Sequence, residues 1–267
     1  MKPKPHPLVR AAALLVLLGF AGVFIWNLTR PAKRPSSPRI EELNSIAEAS
    51  AEIKAERRDA ALVRQLIEED LGERRFRFPT VIHASSGCHV LRLDPERPSH
   101  KRILDALGEA LGKITEELAR PGSAALEERR INEVSRHFED ALKAELDAVD
   151  GLACTIPPNR DGEEQRSGYP DLQVTDEQSG EVFYLDPKLV ENTSWDSSFR
   201  SFYFEPKDRS LKITKDAVHL LVGIGHNGED GRWVFGPWKI VDLSSLALRL
   251  KPEFQASNRD LYPSADP

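Results

Sequence analysis

The run VFYLDPKLV, residues 182–190, constrains the fold more than any other stretch. It is apolar enough to be a strand inside a domain, yet Asp186 and Lys188 stand at its centre. Lone buried charges are costly, so the surrounding structure must supply partners for both. Alternate residues of a strand face the same side, so Asp186 and Lys188 project together. Upstream, Pro170 and Asp171 open a second strand candidate, and DEQSG reads as the turn between the two, with Gly180 at the flexible position. Hairpin pairing would bring Asp171 beside Asp186 and Lys188, so that two carboxylates and an ammonium converge.

That constellation suits metal-assisted cleavage of a phosphodiester. Mg²⁺ takes oxygen ligands and keeps several waters, and a bound cation polarises a phosphoryl oxygen. A neighbouring Lys can orient or help deprotonate the attacking water, or neutralise charge in the transition state. The bland alternative is a structural Asp–Lys pair on an edge strand, a position that Pro187 favours.

The pattern of Pro170 and Asp171 followed by Asp186-Pro187-Lys188 resembles the PD-(D/E)xK nuclease superfamily. The resemblance spans about residues 126–245. It implies an α/β (α+β) domain with a restriction-endonuclease-like αβββαβ core and the motif on a β-hairpin. It also implies a Glu on the preceding helix, for which RHFEDAL offers Glu139, with Glu133 as second choice. The implied metal ligands are Asp171, Asp186 and Glu139, with Lys188 completing the catalytic set. The implied cofactor is Mg²⁺, with Mn²⁺ as a substitute. The implied partner is nucleic acid, DNA before RNA, and enzymes of this kind that cut both strands often work as homodimers.

The rest of the chain is organised around that domain. Residues 11–28 form an uncharged apolar run near the lower length for a membrane-spanning helix. Residues 1–28 are therefore expected to be a transmembrane anchor, with a signal peptide as the rival, in a single-pass membrane protein whose main domain lies outside the cytoplasm. A Pro- and Ser-rich linker, 29–39, leads to helical spacing over 40–75, expected as a stalk. The nuclease-like domain is expected over 76–267. Within it, 75–84 and 89–93 read as short strands, and helices are expected over 100–119, capped by Ser99, and over 124–149. Strands are expected in DLQVT, EVFYLDPKLV, SFRSFYF, HLLVGIG and RWVFGPWKIVDL, with a helical turn over 214–218 and a closing helix and loop.

Charge qualifies the functional reading. Residues 1–34 hold six basic residues and no acid, leaving 31 basic against 43 acidic residues in the remainder. That balance argues against a protein that coats nucleic acid non-specifically. It suits the alternative of a non-catalytic binding or scaffolding domain with an inactive nuclease-like fold. Weaker candidates are the Cys88-His89 pair with His83 nearby, and Glu205-Pro206-Lys207, which reads as a strand exit.

Overall fold

The computed structural model describes residues 38–198, 202, 203, 205, 211–251, 253, 255, 257 and 261. The chain divides into two units, Met1–Glu69 and Asp70–Pro267. In the first, α1 (Pro38–Glu68) is one helix of 31 residues. It ends before the expected 75, and Asp70 just beyond it takes the left-handed conformation, φ 43°.

The expected membrane placement needs correction. The apolar run 11–28 lies outside the described residues. Among those described, no helix is long and apolar enough to cross a membrane. The long helix α1 carries Lys54, Glu56, Arg57, Arg58 and Asp59 in succession about Ala55, and such a charge density is incompatible with a hydrocarbon core.

The second unit opens with β1 (Arg75–Arg77) and α2 (Phe78–Ser86). The stretch 78–84 is thus a helix, not the expected strand. Pro79 sits in the first turn, where a missing N–H costs nothing. Phe78 and Ile82, four residues apart, are buried on one face, and Gly87 closes the helix with φ 78° and an N–H bond to the His83 carbonyl. After β2 (Val90–Leu91) comes α3 (Pro98–Leu118). Its N-cap is Arg97 with Pro98 in the first turn. Ser99 is not the cap: its hydroxyl donates to the Glu181 carboxylate instead. The expected second helix is broken into α4 (Ala124–Glu127) and α5 (Ile131–Asp147), because Glu128 and Arg130 are extended.

The strands that follow are β3 (Leu152–Thr155), β4 (Leu172–Asp176), β5 (Val182–Glu191), β6 (Ala217–His226) and β7 (Phe235–Asp242). They join β2 in a six-stranded sheet, in the order β2-β6-β5-β4-β3 with β7 also on β6. The β3-β4-β5 part is antiparallel, whereas β5 and β6 run parallel over nine residue pairs. Three expectations change here. β3 was not expected. Ala217 begins a strand where a helical turn was expected. The closing segment forms β8 (Ala247–Arg249), which pairs with β1, where a helix was expected. Between β5 and β6 the described residues hold a 3-10 turn, Asn192–Ser194, and no α-helix. Part of the expected strand SFRSFYF lies outside the described residues.

Strand alternation divides the core in two. Leu172, Val174, Phe183, Leu185, Val218, Leu220, Val222 and Ile224 face α3 and α5. The other face collects Val182, Tyr184 and Ala217 against Phe78 and Ile82 of α2, with Leu211, Ile213 and Leu243. Phe138 of α5 is buried in the first core, edge-on to Phe235 of β7 at 4.8 Å. Phe138→Ala should cost about 3–5 kcal/mol of stability, read as a lower urea midpoint in equilibrium unfolding.

Candidate active site

β5 changes character along its length. Over Phe183 to Leu185 it lies between β4 and β6, but the β4 register ends at the Leu172–Leu185 pair. From Asp186 onward only β6 continues the ladder, to Glu191. Pro187 therefore falls where no β4 partner needs its missing N–H, which reconciles a proline with a central strand. Asp171 lies just before β4, and its N–H donates to the Leu185 carbonyl at 3.2 Å.

Asp171, Asp186 and Lys188 meet at this place. Lys188 Nζ lies 3.3 Å from Asp171 Oδ2 and 2.9 Å from Asp186 Oδ2. The first contact is a hydrogen bond. The second is an ion pair without hydrogen-bond direction, so Asp186 Oδ2 remains a buried acceptor with no hydrogen-bond partner. Asp186 is only 3% exposed. Burial pushes its pKa up, repulsion from Asp171 adds to this, and Lys188 only partly offsets it, so the group titrates at about 7. Burial pulls the Lys188 amine down, but the fields of Asp186 and Asp171 prevail and leave it raised.

A second buried aspartate on the same hairpin provides a contrast. Asp176 is fully buried, yet both its oxygens are bound: Arg102 donates at 2.8 and 2.9 Å and Ser179 through its N–H at 2.8 Å. Burial favours protonation there too, but the Ser179 and Arg102 bonds outweigh it and hold the carboxyl below its ordinary value. Asp176 is satisfied by its fold, and Asp186 is not.

Glu139 stands on α5, half-buried. Burial raises its pKa first and Asp171 second, against the lowering pull of Lys188 and Arg166. It thus feels the site's charges. Among the described residues, however, no group of three or more His, Cys, Asp or Glu side chains is placed to hold a metal ion. The two hairpin aspartates converge on Lys188, and Glu139 joins them through its field. Arg166, whose guanidinium donates to Asp140 Oδ1 at 2.7 Å, brackets Glu139.

Two neighbours were not singled out as part of this site by sequence reasoning. Tyr169 immediately precedes the motif, is buried, and its hydroxyl lies 2.8 Å from His219 Nδ1. Burial, then the fields of Asp186 and Asp171, push the Tyr169 hydroxyl far up, and burial pushes His219 down to about 3. Both are neutral at pH 7. The other neighbour is Lys212, wholly buried. Of the weaker candidates, His83 and His89 stack with ring centres 4.6 Å apart, but with Cys88 they form no metal-holding group among the described residues. Pro206 and Lys207 lie outside the described residues.

The fold and site together define a mixed α/β domain with an acid–lysine centre on a hairpin. Comparison with known proteins is more specific. The family model for the type II restriction enzyme MjaV family matches residues 71–265, and the chain belongs to that family. The type II restriction enzyme MjaV of Methanocaldococcus jannaschii is 32% identical over 195 residues, covering 69% of this chain and 84% of that relative. No solved structure matches. The match begins at residue 71, so α1 and everything before it lie outside it. Membership of a restriction-enzyme family, with no membrane-crossing helix among the described residues, overturns the expected single-pass membrane localisation.

The raised Asp186 pKa has a measurable sign. Its value is near 3.8 when unfolded and about 7 when folded, so the folded state binds the proton more tightly. Metal-free protein should lose stability as pH rises from about 4 to about 7, then level off through this group. Asp186→Asn should remove that slope in chemical denaturation at pH 5 and pH 8.

Proposed function

We propose that this chain is a divalent-cation-dependent DNA endonuclease of the PD-(D/E)xK type. One observation carries the reading: a single ammonium, Lys188, lies between the carboxylates of Asp171 and Asp186, and the latter keeps a buried oxygen with no hydrogen-bond partner. The fold gives that oxygen only the 2.9 Å charge contact with Lys188, whereas Asp176 nearby is fully hydrogen-bonded. A hydrated cation such as Mg²⁺ fits two carboxylates, because it retains waters in its other positions. Asp171 and Asp186 would hold it. When bound, such a cation supplies Lewis-acid polarisation and charge neutralisation at a phosphodiester. Membership of the restriction-enzyme family supports DNA as substrate.

The residues divide the work by charge state. Lys188 is held as an ammonium by its two acids, so it donates: it orients a water or stabilises negative charge developing at phosphorus. It is not the base. Glu139 contributes from α5 through its charge and sets the potential around Asp171. Tyr169 and His219, neutral and mutually bonded, provide buried polar surroundings without adding charge.

The test is incubation of the full chain with long phage DNA in Mg²⁺, Mn²⁺ or EDTA. Metal-dependent cutting into discrete fragments is expected. Asp186→Ala and Lys188→Ala should each lower cleavage at least about a hundredfold with an unchanged circular-dichroism spectrum. Glu139→Gln should have a smaller effect, about tenfold. Full cleavage by folded Asp186→Ala would remove the proposal, and an uncut substrate with folded wild-type protein would favour an inactive binding domain.

A further inference from the structure

The ribbon made by β1 and β8 carries an unbalanced charge. The two strands pair antiparallel, with Arg75 opposite Arg249, Phe76 opposite Leu248 and Arg77 opposite Ala247. Alternate residues share a face, so Phe76 and Leu248 lie on one side, where Leu248 packs on the core that holds Phe78 and Tyr184. Arg75, Arg77 and Arg249 stand on the other side, all exposed. Like charges directly opposite destabilise a strand pair, yet none of the three meets an acid among the described residues. The chain holds 43 acidic residues, and elsewhere arginines find them: Arg97 pairs with Glu181 at 2.6 Å, Arg102 with Asp176 at 2.7 Å and Arg166 with Asp140 at 2.7 Å. A fourth exposed arginine, Arg92, joins Arg77 in lining a cleft of about 570 Å³, together with Thr80 and Ser245. The carboxylate that lines this cleft, Asp242, is already occupied. The Ser244 N–H and hydroxyl each donate to it at 2.8 Å, and the Leu93 N–H donates at 3.1 Å. The ribbon is also tied to the acid–lysine centre. Phe78, next to Arg77, lies edge-on to Tyr169 at 5.8 Å, and Tyr169 immediately precedes Pro170 and Asp171. On β5, Tyr184 alternates with Asp186 and Lys188, so the ribbon lies on the side of the sheet toward which those two project.

We propose that Arg75, Arg77, Arg92 and Arg249 form a contact surface for the phosphate backbone of double-stranded DNA, flanking the phosphodiester to be cut. The proposal rests on the reading of the acid–lysine centre as a DNA endonuclease. Charge complementarity selects the partner. Guanidinium groups take phosphate oxygens in bidentate pairs, and a bound phosphate relieves the repulsion between Arg75 and Arg249. The row continues past the cleft to Arg75 and Arg249, which suits a polymer of phosphates better than one small anion. Contacts of this kind fix the register of a duplex and carry no sequence information. The surface therefore holds the duplex, and the chemistry stays with Asp171, Asp186 and Lys188. It also confines attraction for DNA to one side of an otherwise acidic chain.

Filter binding of the full chain to a phage-DNA fragment in EDTA, over a series of salt concentrations, tests the surface apart from cleavage. Arg75→Gln, Arg77→Gln, Arg92→Gln and Arg249→Gln should each reduce the slope of log affinity against log salt by about one. Arg77→Lys and Arg249→Lys keep the charge and should keep the slope. In Mg²⁺ the glutamine variants should raise KM for cleavage with kcat near wild type, and lower salt should restore their cutting. Arg75→Gln should keep or raise the urea midpoint, because Arg249 loses a repulsive partner. Unchanged slopes in the glutamine variants, with DNA bound by wild type, would overturn this inference and leave the endonuclease reading to its own cleavage test. Equal losses in the glutamine and lysine variants would make the arginines packing residues and also overturn it. Reduced slopes without any cutting by wild type would keep the surface on an inactive binding domain. Neither binding nor cutting by folded wild type would overturn the endonuclease reading, and this inference with it.

Discussion

The parallel pairing of β5 with β6 is the contact on which the other elements depend. It runs from Phe183 opposite Val218 to Glu191 opposite His226. Because it outlasts the β4–β5 pairing, β5 is enclosed on both edges at its start and on one edge only at its end. The first half supplies core residues to both faces. The second half carries Asp186, Pro187 and Lys188 into a place where one side of the ladder is open. A parallel pair also requires a long connection, and residues of that connection, Leu211, Ile213 and Lys212, return to cover the face on which Tyr184 lies. The segment that closes the topology thus also buries a lysine, which donates to the Gln165 carbonyl.

Buried charges are weak evidence of stability, because desolvation often exceeds the Coulombic gain. The hairpin shows both ways of handling that cost. At Asp176 the fold uses a bidentate arginine and the turn residue Ser179, so the carboxylate is neutralised and fully bonded. At Asp186 one oxygen has only the 2.9 Å ion pair with Lys188, without hydrogen-bond geometry, and a second carboxylate worsens the repulsion. The same fold bonds one buried aspartate completely and leaves the other under-bonded beside a like charge. Strongly perturbed carboxylates cluster at functional sites for this reason.

The legible parts of the sequence were those governed by short-range periodicity. Alternation in 182–190 and the turn at Gly180 fixed which side chains share a face, so the meeting of Asp171, Asp186 and Lys188 followed from spacing alone. Glu139 was legible through the family resemblance, which implies a Glu on the preceding helix and which the pair Phe138-Glu139 matches. What escaped depends on long-range packing. Lys212 stands among charged residues in RSLKITKD, and its burial arises only because Leu211 and Ile213 dock against a strand far away in sequence. The Phe78–Ser86 stretch, aromatic and β-branched, reads locally as a strand, yet burial of Phe78 and Ile82 on one helical face wins. The break at 128–130 carries no proline or glycine and so gave no signal. The apolar N-terminal run reads as an anchor from its length and lack of charge, and the family match, beginning at residue 71, does not include it.

The acidic balance, which argues against a protein that coats DNA, becomes coherent on the proposed reading. Three acids at a cleavage centre repel a phosphodiester as they repel each other, so DNA and cation must bind with positive coupling. Each neutralises the other's repulsion, and linkage makes the effect reciprocal. On that reading Lys188 sets the size of that coupling. With too little fixed positive charge the acids would retain a cation tightly in the absence of DNA. With too much they would not need one. Lys188 against the carboxylates of Asp171, Asp186 and Glu139 leaves the centre net negative when all are ionised. That arrangement favours loading the cation together with the phosphate.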